Sequence, residues 1–268
     1  MKSIDERVAY YVSNGFTIVQ ARYKVAQEII LSKIEQSNYI DKILLKGGIV
    51  MYNITKEQRR TTSDLDLDFI RLDISKESNM YKFVEALNRY DTFYTLSLKK
   101  IKPLHQDDYK GNKLYLTIND NAHSRALDIT VDIGVHTLLG IEQDKMCFTY
   151  DNENSLTLWV NPPEQIIAEK LFSLAKIGPD STRYKDINDI YYLIKNIKLD
   201  HEVFKKCLSL LLIGNRYGFH DIYDLFDNVE TCLESDLFSS GFADNNSKWL
   251  DVDYQTLKDT ILNYISKI

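Results

Sequence analysis

The chain has 268 residues, 44% of them hydrophobic and 12% aromatic, with only four prolines. This is enough apolar material for a sizeable core and excludes a globally disordered protein. The 39 acidic and 33 basic side chains leave a formal charge of −6, which excludes a highly basic nucleic-acid binder but not a local basic groove. The sequence has no apolar run near the ~18 residues that span a bilayer and no signal-peptide pattern at its start, so we expect a cytoplasmic protein.

The first ninety residues predict helices around a short strand pair. Apolar residues at three- and four-residue steps indicate a helix over 17–34. A β-rich run from Ile43 to Leu45 leads into Gly47-Gly48, and strict alternation of acidic and apolar residues predicts a half-buried strand over 65–70. A further helix is expected over 81–90.

The rest of the chain changes character near residue 160. Strands are predicted over 95–98, 113–118, 126–135 and 156–160, with turn-forming residues between them. After this point the pattern is almost purely helical, beginning with a helix over 163–176 in which Asn161 is the expected N-cap and Glu164 completes a capping box. We therefore predict an α+β domain over residues 1–160 and a helical domain over residues 161–268.

The most informative segment is a strand with three evenly spaced carboxylates, Asp64, Asp66 and Asp68. Residues two apart on a strand share a face, and Cα atoms ~6–7 Å apart let neighbouring carboxylates hold a hard divalent cation. The cysteines and histidines show no metal-binding spacing, so metal chemistry must come from carboxylates. The alternative is that these carboxylates only form a solvated strand face. Such faces are common, so a DxD pattern alone is weak evidence for a metal site.

A third carboxylate is expected from a neighbouring strand. Asp128 and Asp132 share a face of the strand predicted over 126–135 but lie ~13 Å apart, so only one of them can join the metal site. The sequence does not choose between them, with a slight preference for Asp132 because the longer strand run precedes it.

A glycine pair precedes these carboxylates. Lys46-Gly47-Gly48 ends a strand where a helix can begin, sixteen residues before Asp64. Paired glycines there let the backbone approach a triphosphate, with helix N–H groups directed at it. A glycine pair is most often a simple turn. Placed before a strand-borne DxD, it has the layout of a nucleotidyltransferase palm, in which carboxylates hold two metals ~3.5–4 Å apart.

Four motifs in order give the chain a family resemblance. They are Lys46-Gly47-Gly48, then residues 60–66 (RTTSDLD), residues 167–174 (IAEKLFSL) and residues 183–191 (RYKDINDIY). Together they resemble the AbiEii/AbiGii toxin family of nucleotidyltransferases over roughly residues 40–195. The departures are Ile49-Val50-Met51 in place of the usual small residues, and Tyr184-Lys185 between Arg183 and Asp186.

The resemblance implies a DNA polymerase β-like palm followed by a helical domain, and it implies roles for particular residues. Asp64 and Asp66 would bind Mg²⁺ or Mn²⁺, together with the third carboxylate that the strand pattern offers, Asp132 or Asp128. Lys170 would contact nucleotide phosphates, and Asp186 would act as a base or orient a catalytic group. The residues that would bind the NTP share the loops around the DxD strand: Lys46, Gly47, Gly48, Arg60 and Ser63.

The same resemblance implies a function and partners. Such a toxin transfers NMP from an NTP to an acceptor, and the resemblance to tRNA-modifying members implies that the acceptor is tRNA. It would act within a toxin–antitoxin or abortive-infection system directed against phages. A cognate antitoxin would then be encoded nearby. Local cations in the β-rich part could meet an RNA despite the acidic total; they are Lys99, Lys100, Lys102, Lys110, Lys113 and Arg125.

Other functions stay open at this point. One is a nucleotide-binding interaction module without transferase activity, and another is a transferase that modifies a protein or a small molecule. A DxD-type glycosyltransferase is a further alternative, but the helical last third of the chain does not suit it.

Overall fold

The computed structural model describes residues 2–70, 76–104, 111–138, 140–150, 154–244 and 248–268. This part of the chain divides into two units. One comprises residues 1–137 and 143–160, and the other comprises residues 138–142 and 161–268. Lys110, expected among the RNA-binding cations, lies outside the described residues.

In its described residues, the first unit combines four α-helices with seven strands. The helices are α1 (Ile4–Ser13), α2 (Ile18–Gln36), α3 (Gly47–Thr55) and α4 (Glu77–Leu87). The strands are β1 (Ile43–Lys46), β2 (Asp64–Phe69), β3 (Tyr94–Pro103), β4 (Asn112–Asp120), β5 (Arg125–Val135), β6 (Asp144–Tyr150) and β7 (Asn154–Val160).

The second unit is helical in its described residues. Its helices are α5 (Pro163–Ile177), α6 (Tyr184–Asn196), α7 (His201–Leu212), α8 (Ile222–Glu234), α9 (Asp236–Asp244) and α10 (Tyr254–Ile265). The start of α5 corrects one prediction. Pro162 is its N-cap and Asn161 is not, because the helix begins at Pro163 and Asn161 is one residue too early to cap it. The Asn161 amide lies 3.3 Å from the Glu169 carboxylate instead.

The seven strands form one mixed sheet in the order β3-β4-β5-β2-β1-β7-β6. Two pairs are parallel, β2 with β5 and β1 with β7. The other neighbours are antiparallel. The predicted α+β class with a mixed sheet and flanking helices is confirmed, whereas β6 was not predicted.

One face of the sheet is apolar and covered by helices. Leu65 and Leu67 are fully buried and Phe69 is 2% exposed, as the alternation in β2 predicts. Phe69 packs edge-on against Phe83 of α4, with ring centroids 5.2 Å apart. Alternate residues of the same strands therefore lie on the opposite, polar face.

A bulge in β3 changes which residues lie on that polar face. The β3–β4 register shifts between Leu98 and Lys100, so Lys99 is the extra residue. Before the bulge Ser97 pairs with Thr117, and after it Lys100 pairs with Tyr115. The inserted residue switches the alternation and brings Lys100 and Lys102 onto the polar face.

Candidate functional site

Three carboxylates meet on the polar face where β2 and β5 run side by side. The parallel register pairs Asp66 with Asp132 and Asp64 with Thr130. Each of Asp64, Asp66 and Asp132 offers a carboxylate oxygen, and these oxygens lie within 4.8 Å of one another. Asp128 is outside this triad; it is exposed and accepts a hydrogen bond of 2.6 Å from Thr117. Of the two alternatives that the sequence left open, the structure therefore brings Asp132 to the DxD pair.

The triad concentrates negative charge where water is partly excluded. Burial, followed by the nearby Asp64 carboxylate, raises the pKa of Asp66 to about 7, while Lys46 acts in the opposite direction. Burial also raises the pKa of Asp132, opposed by its hydrogen bond with Lys113. A divalent cation would relieve this repulsion, and carboxylate oxygens are the ligands that Mg²⁺ and Mn²⁺ prefer. The donor set thus fits such an ion, whose identity stays a prediction.

Two lysines flank the triad in a row that crosses the sheet. The Lys46 ammonium lies 2.9 Å from Asp68, and the Lys113 ammonium lies 3.1 Å from Asp132. The strand registers place five charged residues side by side on β3, β4, β5, β2 and β1, in the order Lys102, Lys113, Asp132, Asp66, Lys46. The site therefore has cations on both sides of a carboxylate centre.

The glycine pair packs directly against this centre. Gly47 has φ of +69°, and a Cβ there would lie 1.9 Å from a carboxylate oxygen of Asp66. A Cβ on Gly48 would lie 2.5 Å from Thr62. Both positions thus exclude side chains for packing reasons as well as for the expected approach of a triphosphate. The helix α3 begins at Gly47, and the Lys46 side chain does not cap it.

The loop before β2 is fixed from α2. The Gln27 amide donates hydrogen bonds of 3.0 and 2.9 Å to the backbone carbonyls of Thr62 and Asp64, and the Thr62 hydroxyl donates to the Asp64 carboxylate. Sequence reasoning missed Gln27, whose only signal was a polar residue among the apolar positions of α2. The two nucleotide-binding predictions in this loop differ in exposure, since Ser63 is exposed and Arg60 is buried.

The second unit holds the other two predicted catalytic residues in one ion-pair network. The Lys170 ammonium contacts Asp186 and lies 2.9 Å from Asp189. Arg183 lies 3.2 Å from Asp186, and the Trp249 indole N–H donates a 2.9 Å hydrogen bond to the buried Asp189. Sequence reasoning missed the parts of Asp189 and Trp249 in this network. The catalytic roles of Lys170 and Asp186 stay predictions.

One of the expected RNA-contacting cations is not near the triad. Arg125 begins β5, seven residues and ~23 Å along the strand from Asp132. It forms a 2.8 Å ion pair with Asp5 of α1. Strand alternation also places it on the opposite face from Asp132, because the two differ by an odd number of residues.

Within the described residues, no helix combines the length and apolar character that crossing a bilayer requires.

The chain is similar to known proteins in sequence pattern and in fold. The family model described as "Nucleotidyl transferase AbiEii toxin, Type IV TA system" matches residues 29–262. The crystal structure of JHP933 from Helicobacter pylori is similar over 94% of this chain and 93% of that chain, with a TM-score of 0.52 and 13% identity. An antigenic nucleotidyltransferase-like protein from Paracoccidioides brasiliensis aligns over 77% of this chain and 94% of its own, with a TM-score of 0.42 and 14% identity. Among curated proteins none matches.

Proposed function

The chain belongs to the AbiEii family of nucleotidyl transferase toxins of type IV toxin–antitoxin systems, and we propose that it transfers NMP from an NTP to tRNA, which blocks translation and growth. It is an enzyme of the nucleotidyltransferase class, with the nucleotidyltransferase-type fold that its sequence predicts. The observation that supports the transfer reaction best is the triad of Asp64, Asp66 and Asp132 with a lysine on either side.

The residues of the first unit divide the work of the reaction between them. The Gly47–Gly48 backbone at the start of α3 and the ammonium of Lys46 receive the triphosphate. The three carboxylates would hold divalent cations, which would offset the charge that develops on the α-phosphate and on the leaving pyrophosphate. Asp132 lies on the β4 side of the triad.

The bond changes follow from this division. An acceptor hydroxyl oxygen bonds to the α-phosphorus of the NTP, the α–β phosphoanhydride bond breaks, and pyrophosphate leaves. The hydroxyl proton passes to a carboxylate of the triad, which acts as the general base.

For Lys170 we propose the contact with nucleotide phosphates that the family resemblance implies. Asp186 was expected either to act as a base or to orient a catalytic group. Its ion pairs with both Lys170 and Arg183 support the orienting role. Arg60 and Ser63, in the loop before β2, complete the proposed nucleotide contacts.

The biological setting follows from the family. We place the reaction in the cytoplasm, where NTPs and tRNA are found, with a cognate antitoxin encoded nearby that limits the damage. Activation during phage infection would stop growth of the host and so restrict the phage.

One labelling experiment tests the proposal. Purified protein is incubated with Mg²⁺, each α-³²P-labelled NTP in turn, and tRNA, total RNA or total protein. We expect label from one or more NTPs to enter tRNA and to be removed by ribonuclease. Asp64→Asn and Asp66→Asn should abolish both labelling and growth inhibition, because each removes a ligand of the metal site while preserving the side-chain shape. Protease-sensitive label would instead identify a protein acceptor, and NTP binding without any transfer would leave only a nucleotide-binding module.

A further inference from the structure

The polar face of β3 and β4 carries an aromatic ring beside the lysines. Tyr115 is half-buried and pairs with Lys100 on one side and with Thr130 on the other. The Lys102 ammonium lies 5.5 Å from the centroid of the Tyr115 ring. Core packing would be the usual reason for a strand tyrosine, but the core residues of β4 on either side are Leu114 and Leu116, and Tyr115 lies on the opposite face.

The ring lies close to the carboxylate triad. Tyr115 pairs with Thr130, and Thr130 pairs with Asp64. Two strand spacings therefore separate the backbones of Tyr115 and Asp64, a distance of about 10 Å. A nucleotide can span this gap with its ribose hydroxyl at the carboxylates and its base over the ring.

The triphosphate elements lie on the other side of the triad. Lys46 is on β1 and Gly47 follows it, whereas Tyr115 and Lys102 are on β4 and β3. In the strand order, β5 and β2 with their carboxylates stand between these two groups. The donor NTP and the ring thus occupy opposite halves of the site, so the ring is available to the acceptor.

We infer that Tyr115 is a base-stacking residue of the acceptor half of the site, with Lys100 and Lys102 contacting the phosphates of the same single strand. This inference rests on the proposed transfer to RNA and adds a subsite to it. A ring face that attracts an ammonium group is also the surface on which a nucleobase stacks. When the base occupies the ring, the Lys102 ammonium is left beside the phosphates of that strand.

A binding experiment tests the stacking without any catalysis. Tyr115→Trp is prepared in the Asp64→Asn background and titrated with a ten-nucleotide oligoadenylate, in the absence of NTP. The probe is the tryptophan emission, and the Asp64→Asn protein, with only Trp159 and Trp249, supplies the background. We expect saturable quenching by oligoadenylate and little by an abasic strand of equal length and charge. Equal effects of the two strands, or no quenching by either, would overturn the inference.

A kinetic experiment tests the same residue in the active enzyme. Tyr115→Ala should raise the KM for RNA about tenfold or more, the loss that follows removal of one stacking ring, while the KM for NTP and the melting temperature stay near the parental values. Tyr115→Phe keeps the ring and should restore the parental KM. Tyr81→Ala is the matched control, because Tyr81 is 55% exposed on α4, across the sheet.

The two experiments separate failure of the subsite from failure of the function. If the parent labels RNA and Tyr115→Ala does so with an unchanged KM, only the subsite is wrong. If the parent transfers no nucleotide to RNA, the proposed function fails, and the fluorescence titration still decides whether this face binds single strands through their bases.

Discussion

At the scale of single residues, the pKa of Asp66 shows what the triad costs when no cation is bound. Its pKa of about 7 lies well above the ordinary value for an aspartate, because it is buried beside Asp64. Between about pH 4 and pH 7 the folded protein keeps a proton that the unfolded chain has released. The contribution of Asp66 therefore lowers stability as the pH rises through this window, and the loss is complete above about pH 7.

Asp66→Asn should accordingly stabilise the metal-free protein at high pH. We expect its free energy of unfolding to exceed that of the parent by about 1–3 kcal/mol at pH 8, and the difference to shrink towards pH 4.5. Urea unfolding in EDTA at the two pH values measures this. Asp128→Asn, on the same face of β5 but outside the triad, should show no such pH-dependent gain. A parent as stable as the variant at pH 8 would mean that the triad carries no such repulsion.

The sequence predicts the DxD carboxylates of this site better than the residues that other elements bring to them. The alternation around Asp64 and Asp66 is local, so it fixes the strand face on which both carboxylates lie. The choice between Asp132 and Asp128 depends on the β2–β5 register, which is a long-range property. Gln27 reaches the Asp64 carbonyl across 37 residues, and no local pattern indicates such a contact.

At the scale of elements, Lys170 of α5 forms ion pairs with two carboxylates of α6, Asp186 and Asp189. These carboxylates have further partners of their own. Asp189 accepts from the Trp249 indole at 2.9 Å and lies 2.9 Å from the Lys170 ammonium. The periodicity of these helices predicts Asp186 and Asp189 on one face. It cannot predict Trp249, which is 60 residues from Asp189. Similarly, β6 was missed because it is an edge strand in which only Phe148 is buried, so its residues give little apolar pattern.

This network predicts graded losses of activity. Lys170→Ala should lower kcat about 10²-fold or more, as expected when a positioned cation is lost from a phosphoryl site. Trp249→Phe should lower kcat about tenfold with little change in the KM for NTP, because Asp189 loses the donor that orients it. Steady-state kinetics measures both, with circular dichroism as the check on folding. Trp159→Phe, in the first unit, is the control for loss of an indole. Parental kcat in folded Lys170→Ala would make the network purely structural.

At the scale of the whole molecule, charge is distributed unevenly along the chain. Most of the excess of acidic residues lies in residues 161–268, and no lysine or arginine occurs from Tyr217 to Ser247. A polyanion approaching this protein is therefore attracted mainly by cations of the first unit, such as those at the β3 bulge.

Charge reversal at the bulge tests this attraction. Replacing Lys99, Lys100 and Lys102 with glutamate should weaken RNA binding and flatten its salt dependence, since each lost phosphate contact removes ~0.7–0.9 from the log–log slope. NTP binding at the triad should be nearly unchanged. The matched control reverses Lys76, Lys82 and Arg89, which are exposed on or beside α4, across the sheet. Equal slopes for the two triple variants would indicate that the β3 lysines only solvate a hairpin.

The parallel pairing of β2 with β5 has a consequence for synthesis on the ribosome. Asp66 and Asp132 become neighbours only through this pairing, and β3 and β4 lie between the two strands in sequence. Such non-local contacts form late and slowly compared with helices. A nascent chain that ends before β5 lacks Asp132 altogether and so cannot form the complete carboxylate triad. The complete carboxylate triad, and any activity that depends on it, can therefore appear only after translation has passed β5 and the two strands have paired.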